Sequence, residues 1–119
     1  MGNFRNLLVW QNAKDLAVDI YKLTREEGLS KDFGLRDQMQ RAAVSIASNI
    51  AEGDELGTDK QSIRHFYISR GSVAELITQL TISYEIGYID NSAKETLINE
   101  CDKICAMLKK LIKARSEFK

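Results

Sequence analysis

The stretch SAKETLINECDKICAMLKKLI, residues 92–112, decides the fold class. Leu97, Ile98, Cys101, Ile104, Cys105, Leu108, Leu111 and Ile112 recur at spacings of three and four. That period draws one apolar stripe along an α-helix, whereas a half-buried strand would alternate every second residue. Ser92 and Glu95 have the spacing of a capping box at its start. The same period continues upstream. Ile63, Phe66, Tyr67, Val73, Ala74, Ile77, Leu80 and Tyr84 predict a third helix, opened by the Thr58–Gln61 box and stopped at Gly87. A second helix, from about Gly34 to Glu52, carries Leu35, Met39, Ala42, Ala43, Ile46 and Ile50, and Gly53 closes it. A first, from about Asn6 to Glu27, carries Val9, Trp10, Ala13, Leu16, Ala17, Ile20, Tyr21 and Leu23, and Gly28 ends it. No stretch reads as a strand. Four helices on short links predict one domain over residues 1–119, an all-α, antiparallel up-and-down four-helix bundle.

Composition agrees and removes other classes. The 119 residues hold no proline, the residue that breaks helices. An apolar share of 44% with 29% charged residues belongs to a folded soluble chain. Seventeen basic residues balance seventeen acidic ones, so bulk charge holds this chain to neither nucleic acid nor anionic lipid. Two cysteines make neither a disulfide scaffold nor a four-cysteine zinc site. Residues 1–6 lack the apolar core of a secretory signal, and Asn6 stands where myristoylation wants Ser or Thr. The least charged run, Ala42 to Ala51, is about half a membrane span. A cytoplasmic protein without a membrane role is expected.

The second helix has unusual faces. From Gln38 to Ala51 only Arg41 is charged, where the chain average predicts about four. Gln38, Arg41, Ser45, Ser48, Asn49 and Glu52 form a polar side, and Val44, Ala47 and Ala51 a small apolar one. A bundle helix normally turns charge to water, so this one is expected to be covered on more than one side. The third helix matches it. Ile68, Ile82 and Ile86 lie off its core stripe, among Gly71, Ser72, Glu75 and Gln79. A mid-helix glycine costs about 1 kcal/mol relative to alanine, which close contact with another helix offsets. Apolar residues mixed with satisfiable polar ones suit an oligomer interface. Arg70 falls within the predicted inner stripe, and a buried arginine needs a carboxylate or several carbonyls. A structural network of Arg70, Asn49, Glu52 and Glu75 is expected there.

These residues resemble a family, the four-helix bundle proteins encoded in intervening sequences of bacterial 23S ribosomal RNA genes. The resemblance rests on Val9-Trp10-Gln11 with Ala13, Leu16, Ile20, Tyr21 and Thr24; on Gln38, Arg41-Ala42-Ala43, Ser45-Ile46 and Asn49-Ile50-Ala51-Glu52-Gly53; and on Phe66, Gly71-Ser72, Glu75-Leu76 and Gly87-Tyr88. Three motifs in order at matching spacings make it specific. Gln40 stands where a second Arg is frequent, Ser69 where Ala is usual, and no proline precedes the second helix. The resemblance implies a ring-like homopentamer. It also implies kinship with the accessory variability determinant of diversity-generating retroelements, a basic barrel that binds nucleic acid and a reverse transcriptase.

Chemistry-bearing residues are sparse. Cys101 and Cys105 share a helix face and either pair on a metal or pack in the core; packing is the expectation, as too few further ligands exist. His65 has neither a nucleophile nor an orienting acid in the pattern. Asp54, Glu55 and Asp59 lack the spacing of a calcium loop and read as a linking, capping segment. No catalytic residue, cofactor or metal is expected. Lys109, Lys110, Lys113, Arg115 and Lys119 against Glu117 give residues 109–119 a net charge of +4, and Lys103, Lys110 and Lys113 share an outer face. Two readings stay open for them: a solvated face suited to the helix dipole, or a strip contacting phosphates of RNA or DNA. The partners expected are further copies of the chain, with RNA or DNA, or alternatively another protein in an adaptor role.

Overall fold

In a computed structural model, which describes residues 3–56 and 58–117, the chain is a rod of 48 × 20 × 20 Å. Its elements are a 3₁₀ turn (Phe4–Asn6), α1 (Leu8–Leu23), a second 3₁₀ turn (Leu29–Lys31), α2 (Phe33–Glu55), α3 (Asp59–Ile86) and α4 (Asn91–Glu117). No strand occurs among the described residues. Each helix packs on its chain neighbours, and α4 closes back on α1. Met1, Gly2 and Lys119, which entered the sequence reading, lie outside the described residues.

The starts of α2, α3 and α4 are fixed by side chains that accept backbone N–H groups, whereas α1 follows Leu7 without a side-chain cap. Asp32 accepts from Leu35 N at 3.2 Å and Thr58 from Gln61 N at 3.3 Å. The fourth helix departs from its predicted cap: Asp90, not Ser92, accepts from Ala93 N at 2.8 Å, and Ser92 is already inside the helix. Gly87 ends α3 at φ +100°, a left-handed conformation that only glycine adopts without strain. The first helix ends four residues early, at Leu23. There the Thr24 hydroxyl donates to the Tyr21 carbonyl and accepts from Gln40. Tyr88 lies against Gly28 and its phenol donates to Asp32 at 3.1 Å, tying two loops together. That hydrogen bond raises the Tyr88 pKa, with smaller contributions from desolvation and the Asp32 charge.

The core follows the predicted stripes of α1, α2 and α4, except that Tyr21 of the α1 stripe is exposed on the outer surface between α1 and α2. Leu16, Ile20, Met39, Ile46, Ile50, Cys101, Ile104 and Leu108 are all buried. The third helix departs from its stripe. Tyr67 and Tyr84 are exposed, while Ser62, Ser69, Ser72, Leu76 and Ser83 turn inward beside Phe66, Val73 and Leu80. The cause is the closeness of α2 and α3. Ser69 donates to the Ile46 carbonyl at 2.9 Å and Ser62 to the Gly53 carbonyl. Short side chains suit backbones that near. Ser72 meets the Ser45 hydroxyl, and Ser83 bonds Met39 Sδ and the Gln79 carbonyl of its own helix.

Gly53 therefore does not close α2 but sits inside it. A Cβ at Gly53 would stand 2.6 Å from the buried Phe66 ring and 3.1 Å from the Ser62 carbonyl. Gly53→Ala is expected to lower stability by about 1–3 kcal/mol, because neither the ring nor the backbone has room to move. Chemical denaturation measures it; an unchanged midpoint would show that the seam is looser than described.

Candidate functional site

The polar side of α2 meets α3 along a line of hydrogen bonds. Arg41 Nη2 lies 3.4 Å from Glu75 Oε2 and also bonds Gln38. Ser72 donates to Ser45 Oγ at 2.9 Å. Asn49 Nδ2 donates to the Ser45 carbonyl and hydroxyl at 2.9 and 3.1 Å. Asn49 Oδ1 faces His65 Nδ1 at 2.9 Å, which places the imidazole proton on Nδ1. These contacts align the two helices and leave Gln38, Arg41 and Glu75 exposed at the surface of the seam.

Of the four expected members of the network, Asn49 and Glu75 are in it and Arg70 and Glu52 are not. Arg70 is half-buried at the far side of α3, with its guanidinium 5.5 Å from the Tyr67 ring centroid. Glu52 is exposed, and Arg41 takes the Glu75 carboxylate instead. The reason is the inward turn of the serines, which moves Arg70 out to the edge. His65 joins the network unforeseen; its signal was the spacing of Ser62, Ser69, Ser72 and Ser83, which mark the true inner face.

Apolar surfaces remain on the outside, one of them between α1 and α4 at Leu7, Leu8, Val9, Met107 and Leu111, beside Lys110. Between α1 and α2 runs a groove of about 620 Å³, lined by Trp10, Ala17, Val18, Tyr21, Val44, Ala47, Ser48 and Ala51, with Lys14, Lys22 and Arg25 beside it. On α3, Ile68, Ile82 and Ile86 are 43%, 44% and 55% exposed. Gly71 lies in the same band, exposed, and a Cβ there would meet nothing within 4 Å.

The basic residues divide. Lys103, Lys109 and Lys110 are exposed on α4. Lys113 is exposed too and already has a partner within the chain. Arg115 is turned inward. Its Nη2 lies 2.7 Å from Asp54 Oδ1, and its guanidinium stands 5.4 Å from the Phe66 ring centroid. Asp54 is buried inside α2, so the sequence reading of it as a linking residue is corrected. Arg115 belongs with the fold and not with a strip reaching outward.

Among the described residues no three potential metal ligands cluster. Cys101 lies in the core with its thiol pushed up to about 12, chiefly by burial and then by Asp102, Glu100 and Cys105. Cys105 is half-buried. Among the described residues no helix is long and apolar enough to cross a membrane.

A family model described as 23S rRNA-intervening sequence protein matches residues 5–110. The chain belongs to that family. A crystal structure from Bacteroides thetaiotaomicron VPI-5482, described as a protein of unknown function from the S23 ribosomal protein family, is similar at 26% identity. It aligns with a TM-score of 0.82 over 89% of this chain and 99% of its own. No curated protein matches the sequence. Membership in the 23S rRNA-intervening sequence family covers all four helices, including the α2 and α3 motifs that meet at the seam.

Arg115→Ala is expected to cost on the order of 3 kcal/mol, because it leaves the Asp54 carboxylate buried without its cation. The pair Asp54→Asn with Arg115→Met should recover most of that loss. Urea unfolding of the three proteins checks both, and a single variant as stable as wild type would show that Arg115 is dispensable to the fold.

Proposed function

We propose that this chain is a non-catalytic, cytoplasmic, antiparallel up-and-down bundle that works as a homo-oligomeric ring. Five copies is the number the family resemblance implies. The ring serves as a scaffold and holds RNA or DNA weakly, without sequence preference, through the outer lysines of α4. The descending order of the α2–α3 contacts, 41 with 75, 45 with 72 and 49 with 65, supports the antiparallel reading. Two unpartnered apolar surfaces support assembly.

The observation that carries the nucleic-acid reading is the position of Lys103, Lys109 and Lys110. They stand exposed on α4, the helix that packs on α3 and α1, away from the apolar groove on α2. Assembly through α2 leaves that strip open and repeats it around the ring. Each phosphate contact releases counterions, so several copies of a modest strip add up to measurable binding. The strip contains no aromatic platform, which fits contact with backbone phosphates and not with bases. A second reading, a protein–protein adaptor without a nucleic-acid role, is favoured by the open groove between α1 and α2.

Light scattering at micromolar concentration is expected to give a multiple of 13.5 kDa. A mass of one chain would remove the ring. Generic RNA or DNA should bind at about 50 mM salt and weaken at least about tenfold by about 200 mM. Lys103→Glu with Lys110→Glu should abolish that binding and leave the mass unchanged. An oligomer that retains no nucleic acid at the lower salt would leave the adaptor reading standing alone.

A further inference from the structure

We infer that the groove between α1 and α2 receives the isoleucine ridge of α3 from a second copy of the chain, head to tail, so that α2 faces the axis of the assembly and α4 faces outward. This rests on the assembly reading above and adds which surface meets which.

Four observations support it. The first is length. The ridge runs from Ile68 to Ile86, roughly 27 Å at 1.5 Å per residue, and the α1 wall of the groove runs from Trp10 to Lys22, roughly 18 Å, with Arg25 beyond the helix end extending it. The second is charge. Lys14, Lys22 and Arg25 border the groove, Lys14 paired with Asp15. Glu75, paired with Arg41, and Glu85 are exposed on α3 near the ridge, with Arg64 beside Ile68 at its start. The groove's border is net positive and the ridge's border net negative, which favours their pairing over like with like.

The third is Gly71. A glycine in mid-helix costs about 1 kcal/mol relative to alanine, and nothing in its own chain requires it, since a Cβ would meet open space. Small residues on both sides, Gly71 and Ala74 on α3, Ala47 and Ala51 on α2, permit close approach of two helices.

The fourth is direction. The ridge lies beside the α2–α3 seam, because Glu75 in the same band reaches Arg41 on α2. Groove and ridge therefore occupy adjacent sides of the bundle that share α2. A head-to-tail contact between adjacent sides turns at every step, the condition for closing a ring, whereas opposite sides would extend a filament. In such a ring the shared helix points to the axis. That accounts for the near absence of charge from Gln38 to Ala51, and it leaves the lysines of α4 on the outside.

The test mixes two variants. Val44→Lys blocks the groove and Gly71→Lys blocks the ridge. Both positions are exposed, so each protein should keep its helical circular dichroism and its unfolding midpoint. Each alone is expected to lose assembly completely and sediment as one chain. Mixed in equal amounts at high concentration, they should form a 1:1 pair and nothing larger, because one intact groove meets one intact ridge. A wild-type protein that is itself a single chain overturns both this pairing and the assembly reading. A wild-type oligomer with either variant still assembling, or with a mixture that stays at one chain, overturns the pairing alone.

Discussion

The closeness of α2 and α3 constrains most of the molecule. Two helices approach until Gly53 touches the Phe66 ring and Ser69 reaches the Ile46 carbonyl. At the points of closest approach the partners are small: Gly53 on α2 faces the Phe66 ring, and Ser62, Ser69 and Ser72 on α3 bond Gly53, Ile46 and Ser45 of α2. A buried hydroxyl needs a partner, and the opposite helix supplies it, by its backbone for Ser62 and Ser69 and by the Ser45 hydroxyl for Ser72: every interhelical serine bond fixes the register of the two helices by one more contact. The line from Arg41–Glu75 through Ser45–Ser72 to Asn49–His65 continues the same register at the surface. Arg115 then covers the end of the seam, holding Asp54 and lying over Phe66, so that α4 is tied to the same contact.

That constraint separates what was legible in the sequence from what was not. The periods of α1 and α4 placed Leu16, Ile20, Cys101, Ile104 and Leu108 in the core, because those helices bury large apolar residues, which hydrophobic spacing detects. The inner face of α3 escaped because a tight seam selects for small size and not for hydropathy. Reading large residues as inner ones put Tyr67, Tyr84 and Arg70 inside; the serines took that place. Gly53 and Asp54 were misread for a related reason. Glycine and aspartate usually mark the end of a helix, yet here one makes room for a ring and the other meets a cation from the last turn of α4. Long-range partners of this kind leave no periodic trace.

The candidate site was legible in outline. The charge-poor second helix and the off-stripe isoleucines of α3 both correspond to real surface features, a groove and an exposed ridge. The membership of the polar network was only partly legible, since exchanging Arg70 for Arg41 as partner of Glu75 depends on the rotation of α3. The basic strip shows the same limit. Five cations near the C-terminus look alike in sequence, but Arg115 is held by a buried carboxylate while Lys109 and Lys110 stand in solvent.

Two glycines bring the argument to its sharpest contrast. Gly53 and Gly71 both interrupt long helices, at a similar intrinsic cost. The fold of one chain explains the first completely, because a methyl group at Gly53 collides with Phe66 and Ser62. It offers nothing for the second, where a methyl group would project into empty space between exposed isoleucines and glutamates. A helix of 28 residues would be more stable with alanine there. The compensation for Gly53 thus lies within the chain, and among the described residues none is there for Gly71. The same property, the absence of a side chain, makes room inside the bundle at one glycine, and at the other it is the open surface on which the proposed assembly rests.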